Sequence, residues 1–178
     1  MTVLASAAAL GSGSGAGRLT VNGLPVVGSR FLIAYVHSVY RAPSAEVFTV
    51  EGRRFTMRAV LSLDESVLDY YALDGERARA PGGGWVLRLA EPATYAELSL
   101  LSTSIGRRTL VSGGRCLPLY PATGAAEVRL ALRLTPDVRG GACGYSQSFF
   151  LNTEYSATEA SATRIEDAQN PQGCPDPG

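Results

Sequence analysis

The stretch "FLIAYVHSVYRAPSAEVFTVEGRRFTMRAVLSL", residues 31–63, decides the fold, because it holds three apolar runs separated by two turn signals. The first run is apolar on both faces, which is typical of a strand buried inside a sandwich or a barrel. The return run begins at Glu46, after Pro43 has fixed its own φ and disfavoured helix at the preceding residue. From Arg54 onward polar and apolar residues alternate, as in a half-buried strand. The stretch therefore predicts an antiparallel meander.

Similar apolar runs occur elsewhere in the sequence, outside residues 31–63. Short apolar segments bounded by turn residues include "WVLRL" at 85–89, and "AEVRLALRLTPD" at 126–137 shows the cleanest alternation of all. Residues 64–75 fit a short helix and a strand equally well, and both readings stay open. About eight short strands with turns every 8 to 12 residues predict an all-β fold, an antiparallel sandwich or a barrel-like meander.

The domain organisation follows from the composition of the two ends. A chain of 178 residues suits one domain, which we place at residues 18–136. Residues 1–17 combine a short apolar core with small residues, so that an export signal and a disordered leader both remain open. Residues 137–178, rich in Gly, Ser, Thr and Pro, predict an irregular tail that docks partly on the domain through 149–151.

Charge and hydropathy limit the classes of partner. Sixteen basic residues balance sixteen acidic ones, so electrostatics gives no reason to expect a nucleic acid partner. The pairs at 53–54 and 107–108 are arginines, which we expect to be solvated, because neighbouring strand residues point to opposite faces. No run reaches the roughly 20 apolar residues of a transmembrane helix. We therefore expect membrane contact only through a partner protein or an uncleaved leader.

The three cysteines do not suggest a metal site. Cys116, Cys143 and Cys174 lack CxxC spacing, and one histidine is present in the chain to join them. We predict no metal and no cofactor. One disulfide plus one thiol fits an exported protein, and a Cys143–Cys174 bridge would contribute about 3 kcal/mol in the loop-entropy model. Three unpaired thiols are the alternative.

The polar residues His37, Ser38 and Glu46 are the candidate site. A turn with an even number of residues places His37 and Glu46 as diagonal neighbours on one face, whereas an odd turn separates them. Ser38 points away from His37 in a strand, and neither a GxSxG nor an SxxK motif is present. We therefore favour two partly buried groups that satisfy each other. A small-molecule or metal site on His37 and Glu46, and a hydrolase site, are the alternatives.

The segment "FLIAYVHSVYRAPSAEVFTVEG", residues 31–52, resembles the signature of the family catalogued as domain of unknown function 1850. The shared features are an apolar strand, His-Ser-Val, a short turn with a proline, a glutamate, and an aromatic and apolar strand. They fall on Phe31, Tyr35, His37, Ser38, Val39, Pro43, Glu46, Phe48 and Val50. The resemblance is specific over residues 18–61 and extends to about residue 134 through "RTLVSGGRCLPL".

This resemblance implies a cellular context. Such proteins are small, exported or membrane-anchored, and often encoded beside or fused to tripartite ATP-independent periplasmic (TRAP-type) transporters. No activity of the family can be carried over, but the resemblance singles out His37, Ser38 and Glu46 for testing. We therefore expect a non-enzymatic, extracytoplasmic accessory of a secondary solute transporter, which contacts the transporter's membrane subunit or its solute-binding protein.

Overall fold

The computed structural model describes residues 17–80 and 83–143, and this part of the chain is all-β. The single helix among these residues is α1 (Ser66–Tyr70). The strands are β1 (Arg18–Val21), β2 (Leu24–Pro25), β3 (Arg30–Val36), β4 (Pro43–Glu51), β5 (Arg54–Ser62), β6 (Gly75–Arg79), β7 (Trp85–Leu89), β8 (Thr94–Tyr95), β9 (Glu97–Thr103), β10 (Thr109–Ser112), β11 (Arg115–Pro118), β12 (Ala125–Thr135) and β13 (Gly141–Ala142). The predicted all-β antiparallel fold is confirmed.

Two antiparallel sheets make up this fold. The smaller sheet has the order β2-β1-β12-β9, and the larger has the order β13-β11-β10-β3-β4-β5-β7-β6, with β8 paired to β5. The strands β3, β4 and β5 form the predicted meander at the centre of the larger sheet. The structure describes thirteen strands where the sequence predicted about eight, partly because three of them are two-residue ladders that lack the length to show a period.

The core lies between the two sheets, which makes the fold a sandwich. Phe31 and Phe48 stack with their ring centroids 5.0 Å apart, and Phe55 meets Phe31 edge-on. Leu130 and Leu132 of β12 join the same buried cluster from the smaller sheet. Such aromatic contacts add about 1 kcal/mol per pair to the gain from burial, so they stabilise the inner face of the larger sheet.

Strand β3 is buried on both faces, as its sequence predicts. Consecutive residues Leu32 and Ile33 are both fully buried, one in a cluster on the outer face of the larger sheet and the other in the core. The strand ends at Val36 and not near Tyr40, because the loop at 37–42 closes on itself. In that loop the Arg41 amide donates to the His37 carbonyl at 2.8 Å.

The carboxyl end of the domain differs from the prediction. Strand β13 lies inside the segment predicted to be an irregular tail, and it pairs with β11 so that Gly141 stands opposite Cys116. This register brings the Cα atoms of Cys116 and Cys143 to 4.9 Å, and the two residues form a disulfide. The predicted Cys143–Cys174 bridge is therefore wrong. Cys174, residues 1–16 of the predicted leader at 1–17, and the docking residues at 149–151 lie outside the described residues.

Candidate functional site

A cavity of about 440 Å³ opens where the two sheets meet near the end of β3. The larger sheet contributes residues of β3 and β4, and the smaller sheet contributes the end of β9. The remaining wall comes from the hairpin loop, from the end of α1 and from the turn before β10. The lining polar side chains are Tyr35, His37, Ser38, Glu46, Tyr70, Tyr71, Thr103 and Arg108.

Glu46 lies at the centre of the cavity's polar network. It stands opposite Ile33 in the β3–β4 register, which makes Tyr35 its diagonal neighbour on the same face. The Tyr71 hydroxyl donates to Oε1 of Glu46 at 2.7 Å, and the Tyr35 and Tyr71 hydroxyls are hydrogen-bonded to each other. An ionised carboxylate can only accept hydrogen bonds, so Tyr71 donates its proton to the hydrogen bond with Glu46. Tyr35 therefore donates the hydrogen bond to Tyr71.

Burial keeps both tyrosines of this network neutral. Removal from water raises the pKa of Tyr35 and of Tyr71, and the charge of Glu46 raises both further. Each hydroxyl therefore keeps its proton at any physiological pH. The two side chains act as hydrogen-bond donors and hold the carboxylate in one position.

Arg108 reaches the same carboxylate through a single long contact. Its Nη1 lies 3.4 Å from Oε1 of Glu46, and its guanidinium stands over the ring of Tyr35 at 4.9 Å. A guanidinium has five N–H donors in a planar fork. In the described part of the chain, this contact is the one protein hydrogen bond of the Arg108 side chain. Most of its donors are therefore free to meet a ligand or water.

His37 begins the hairpin loop and is buried. Its Nδ1 accepts the Tyr40 amide at 3.3 Å, while its ring stacks on Tyr40 and meets Tyr70 edge-on. Burial lowers the pKa of His37, and the negative charge of Asp64 opposes that shift. The imidazole is therefore neutral near pH 7, and because Nδ1 accepts a hydrogen bond, its proton belongs on Nε2.

The structure brings all three predicted site residues to one cavity but gives them separate partners. The hairpin loop has six residues, an even number, so His37 and Glu46 share a face as the even register predicts. The longer loop, however, inserts Tyr35 between them, and Glu46 bonds Tyr71 and Arg108 while His37 bonds the Tyr40 amide. The expectation that His37 and Glu46 satisfy each other is thus not met.

Ser38 is exposed at the mouth of the cavity, beside buried His37. Within residues 17–80 and 83–143, no hydrogen bond joins its hydroxyl to the imidazole. A serine nucleophile needs a base within hydrogen-bond reach. The hydrolase alternative therefore gains no support from the geometry of this pair.

Sequence reasoning missed three principal residues of the site. Tyr71 follows α1, in the segment whose structure the sequence left open, and Arg108 belongs to a pair expected to be solvated. Tyr35 was noted only as an apolar strand position. The available signal for Arg108 was strand pairing, since Thr109 stands opposite Ala34 and so places Arg108 level with Tyr35. That pairing cannot be read from periodicity alone.

Exposed aliphatic and aromatic side chains line the cavity or neighbour its lining residues in the sequence. Tyr70 and Leu101 line it and are 61% and 64% exposed. Val39 and Ile105 are 60% exposed and lie next to the lining residues Ser38 and Gly106. We refer to Val39, Tyr40, Tyr70, Leu101 and Ile105 as the apolar rim.

Two further observations bear on cofactors and membranes. Across the described ranges, no three His, Cys, Asp or Glu side chains gather closely enough to hold a metal ion. The helix in these ranges is too short and too polar to span a membrane.

Comparisons with known proteins identify no relative of this chain. No family model, no curated protein and no solved structure matches it.

Proposed function

We propose that the domain is a small-molecule-binding module and that the cavity holding Glu46 and Arg108 is its binding site. One observation carries this proposal: a buried carboxylate and a guanidinium with unused donors share the wall of an open cavity of about 440 Å³. Ligand sites are concave, with a few convergent polar groups among apolar ones. A small-molecule site on His37 and Glu46 was one of the alternatives predicted from the sequence. In the proposed site the principal binding residues are Glu46 and Arg108.

The geometry of the ion pair supports a binding role over a purely structural one. An arginine that stabilises a buried carboxylate usually forms two short, parallel hydrogen bonds. Here one contact of 3.4 Å joins Arg108 to Glu46. Tyr71 supplies the shorter bond, so Glu46 is positioned without using the fork of Arg108. A site arranged before ligand binding avoids much of the ordering cost of association.

Ligand-observed NMR with the full chain tests the proposal. A mixture of amino acids, monosaccharides, carboxylic acids and nucleosides should give saturation-transfer signals with the parent protein. Ser38→Trp, which fills the cavity from an exposed position, should abolish them. Ser99→Trp is the matched control, because Ser99 is exposed on β9 and is not among the lining residues of the cavity. Equal signals from both variants, or no signal from the parent, would refute the proposal.

We also propose that the module works outside the cytoplasm as a non-enzymatic accessory of a TRAP-type secondary solute transporter. The resemblance of residues 31–52 to domain of unknown function 1850 motivates this role. The apolar rim supports it independently, since large apolar side chains exposed near one cavity are typical of contact sites. A ligand-binding cavity beside a protein-contact surface suits a transporter partner.

A mild-detergent pull-down of the tagged protein from its own cells tests this second role. Recovery of a transporter's membrane subunit or solute-binding subunit is the expected result. The double variant Leu101→Ser/Ile105→Ser should lose that subunit, whereas Leu134→Ser should retain it, because Leu134 is equally exposed but lies outside the rim. Recovery of no transporter subunit, or equal recovery with both variants, would contradict the role.

A further inference from the structure

We infer that the cavity takes a zwitterion of the α-amino-acid type, with its carboxylate on Arg108 and its ammonium on Glu46. This inference rests on the proposed small-molecule-binding function and names the ligand class. It is carried by the charges of the wall, by the distance between them and by the unused hydrogen-bonding positions.

The charges of the wall sum to zero. Arg108 contributes one positive charge and Glu46 one negative charge, while Tyr35, Tyr71 and His37 are neutral near pH 7. A simple anion would meet the carboxylate of Glu46, and a simple cation would meet the guanidinium of Arg108. Like charges within a few ångströms of each other repel strongly in a partly buried site. We therefore expect a ligand that carries both a positive and a negative charge, or one that carries neither.

The distance between the two charges sets the spacing within the ligand. Nη1 of Arg108 lies 3.4 Å from Oε1 of Glu46. A ligand that meets both must therefore present its own two groups close together. In an α-amino acid the carboxylate and the ammonium are attached to the same carbon atom, which satisfies this condition without strain.

The unused positions match the same pair of groups. The planar fork of Arg108 suits the bidentate geometry of a carboxylate, and one contact to Glu46 leaves most of the fork free. Oε1 of Glu46 accepts from Tyr71 and from Arg108. Its second oxygen, Oε2, has no hydrogen bond to the described residues and can accept from an ammonium group.

The remaining wall favours the zwitterion over a neutral polyol. The aromatic ring of Tyr70 can attract an ammonium, and Leu101 at the mouth can contact an aliphatic side chain. A sugar would also hydrogen-bond Arg108 and Glu46, but its hydroxyls are neutral and would form weaker hydrogen bonds with these two charged groups. Charge-assisted hydrogen bonds are about twice as strong as neutral ones. We therefore expect charged partners.

Calorimetric titration of the full chain with four probes tests the ligand class. L-Leucine carries both groups, 4-methylpentanoate carries only the carboxylate, 3-methylbutylamine carries only the ammonium, and D-glucose is neutral. Leucine should bind, and loss of either charged group should weaken binding by about tenfold or more, since a hydrogen bond to a charged group is lost. These comparisons use the parent protein and do not depend on the folding of a variant.

Two variants with matched controls locate the binding. Arg108→Gln and Glu46→Gln should each weaken leucine binding by about tenfold or more. Arg107→Gln and Glu97→Gln should leave it unchanged, since Arg107 lies outside the cavity lining and Glu97 forms an exposed ion pair with Arg129.

The outcomes separate this inference from the proposed function. Equal binding of leucine and 4-methylpentanoate, tighter binding of glucose, or no binding of any probe would overturn the zwitterion. In each of these cases, signals from the metabolite mixture that Ser38→Trp abolishes would leave the binding function standing. Absence of those signals as well would overturn both.

Discussion

Tyr71, the residue after α1, donates a hydrogen bond of 2.7 Å to Oε1 of Glu46 on β4. This bond ties the short helical excursion to the larger sheet, across the wall of the cavity. Because Tyr71 also accepts a hydrogen bond from Tyr35, its hydroxyl joins three elements of the chain. The polar network is therefore part of both the fold and the site.

Tyr71→Phe should destabilise the protein by about 1–3 kcal/mol. The substitution removes the donor and leaves the buried carboxylate of Glu46 with only the long contact to Arg108. The measurement is urea unfolding followed by circular dichroism.

Tyr70→Phe is the control for this prediction, since the neighbouring tyrosine is 61% exposed. We expect its effect to stay within about 0.5 kcal/mol. Equal losses of stability from the two variants would contradict the role assigned to Tyr71.

His37 should make stability depend on pH. Burial holds its folded-state pKa below the usual 6.5, so the unfolded chain binds the proton more readily. Its contribution is therefore fully present above pH 6.5 and is lost as the pH falls through the folded-state pKa. His37→Asn keeps an acceptor for the Tyr40 amide but cannot titrate.

The difference in unfolding free energy between parent and His37→Asn, measured from about pH 8 to 5, isolates this contribution from that of the carboxylates. The parent should lose more stability than the variant on acidification. If the unfolding free energies of the parent and of His37→Asn changed in parallel with pH, His37 would have the same pKa in the folded and unfolded states, which would contradict this prediction.

The disulfide should stabilise the domain by about 3.5 kcal/mol. Cys116 and Cys143 close a loop with a sequence separation of 27, and the chain-entropy model assigns about this value to such a loop. The double variant Cys116→Ser/Cys143→Ser should lose it, whereas Cys174→Ser should not. Peptide mapping without reductant should recover Cys116 linked to Cys143, and a Cys143–Cys174 peptide would contradict the pairing.

Core and rim positions should respond differently to truncation. Phe48→Ala should cost about 3–5 kcal/mol, because Phe48 is fully buried against Phe31 and Phe55. Leu101→Ala should change stability by less than about 0.5 kcal/mol, since its side chain is exposed at the cavity mouth. Thermal unfolding of both variants checks the contrast, and a large loss from Leu101→Ala would place that residue in the core.

The sequence was informative where alternation and turn chemistry act locally. The meander of β3, β4 and β5 could be predicted from "FLIAYVHSVYRAPSAEVFTVEGRRFTMRAVLSL", because its period and its proline and glycine turns are local signals. Whether His37 and Glu46 share a face depends on the parity of the turn, which the sequence left open.

The rest depended on contacts between distant segments. Arg108 meets Glu46 only because β10 pairs with β3, and Cys143 meets Cys116 only because β13 pairs with β11. Periodicity does not specify which strands pair. The loop after β3 also has six residues, and its length decides that Tyr35 stands between His37 and Glu46.

Amide chemical-shift mapping of the full chain tests whether a small molecule binds in the cavity. On addition of L-leucine or the metabolite mixture, the largest shifts should fall on Ser38 and Gly106, which line the cavity. Gly52, in the turn at the other end of β4, should not move. Shifts centred on the Gly52 end of the sandwich, or none at all, would contradict the account.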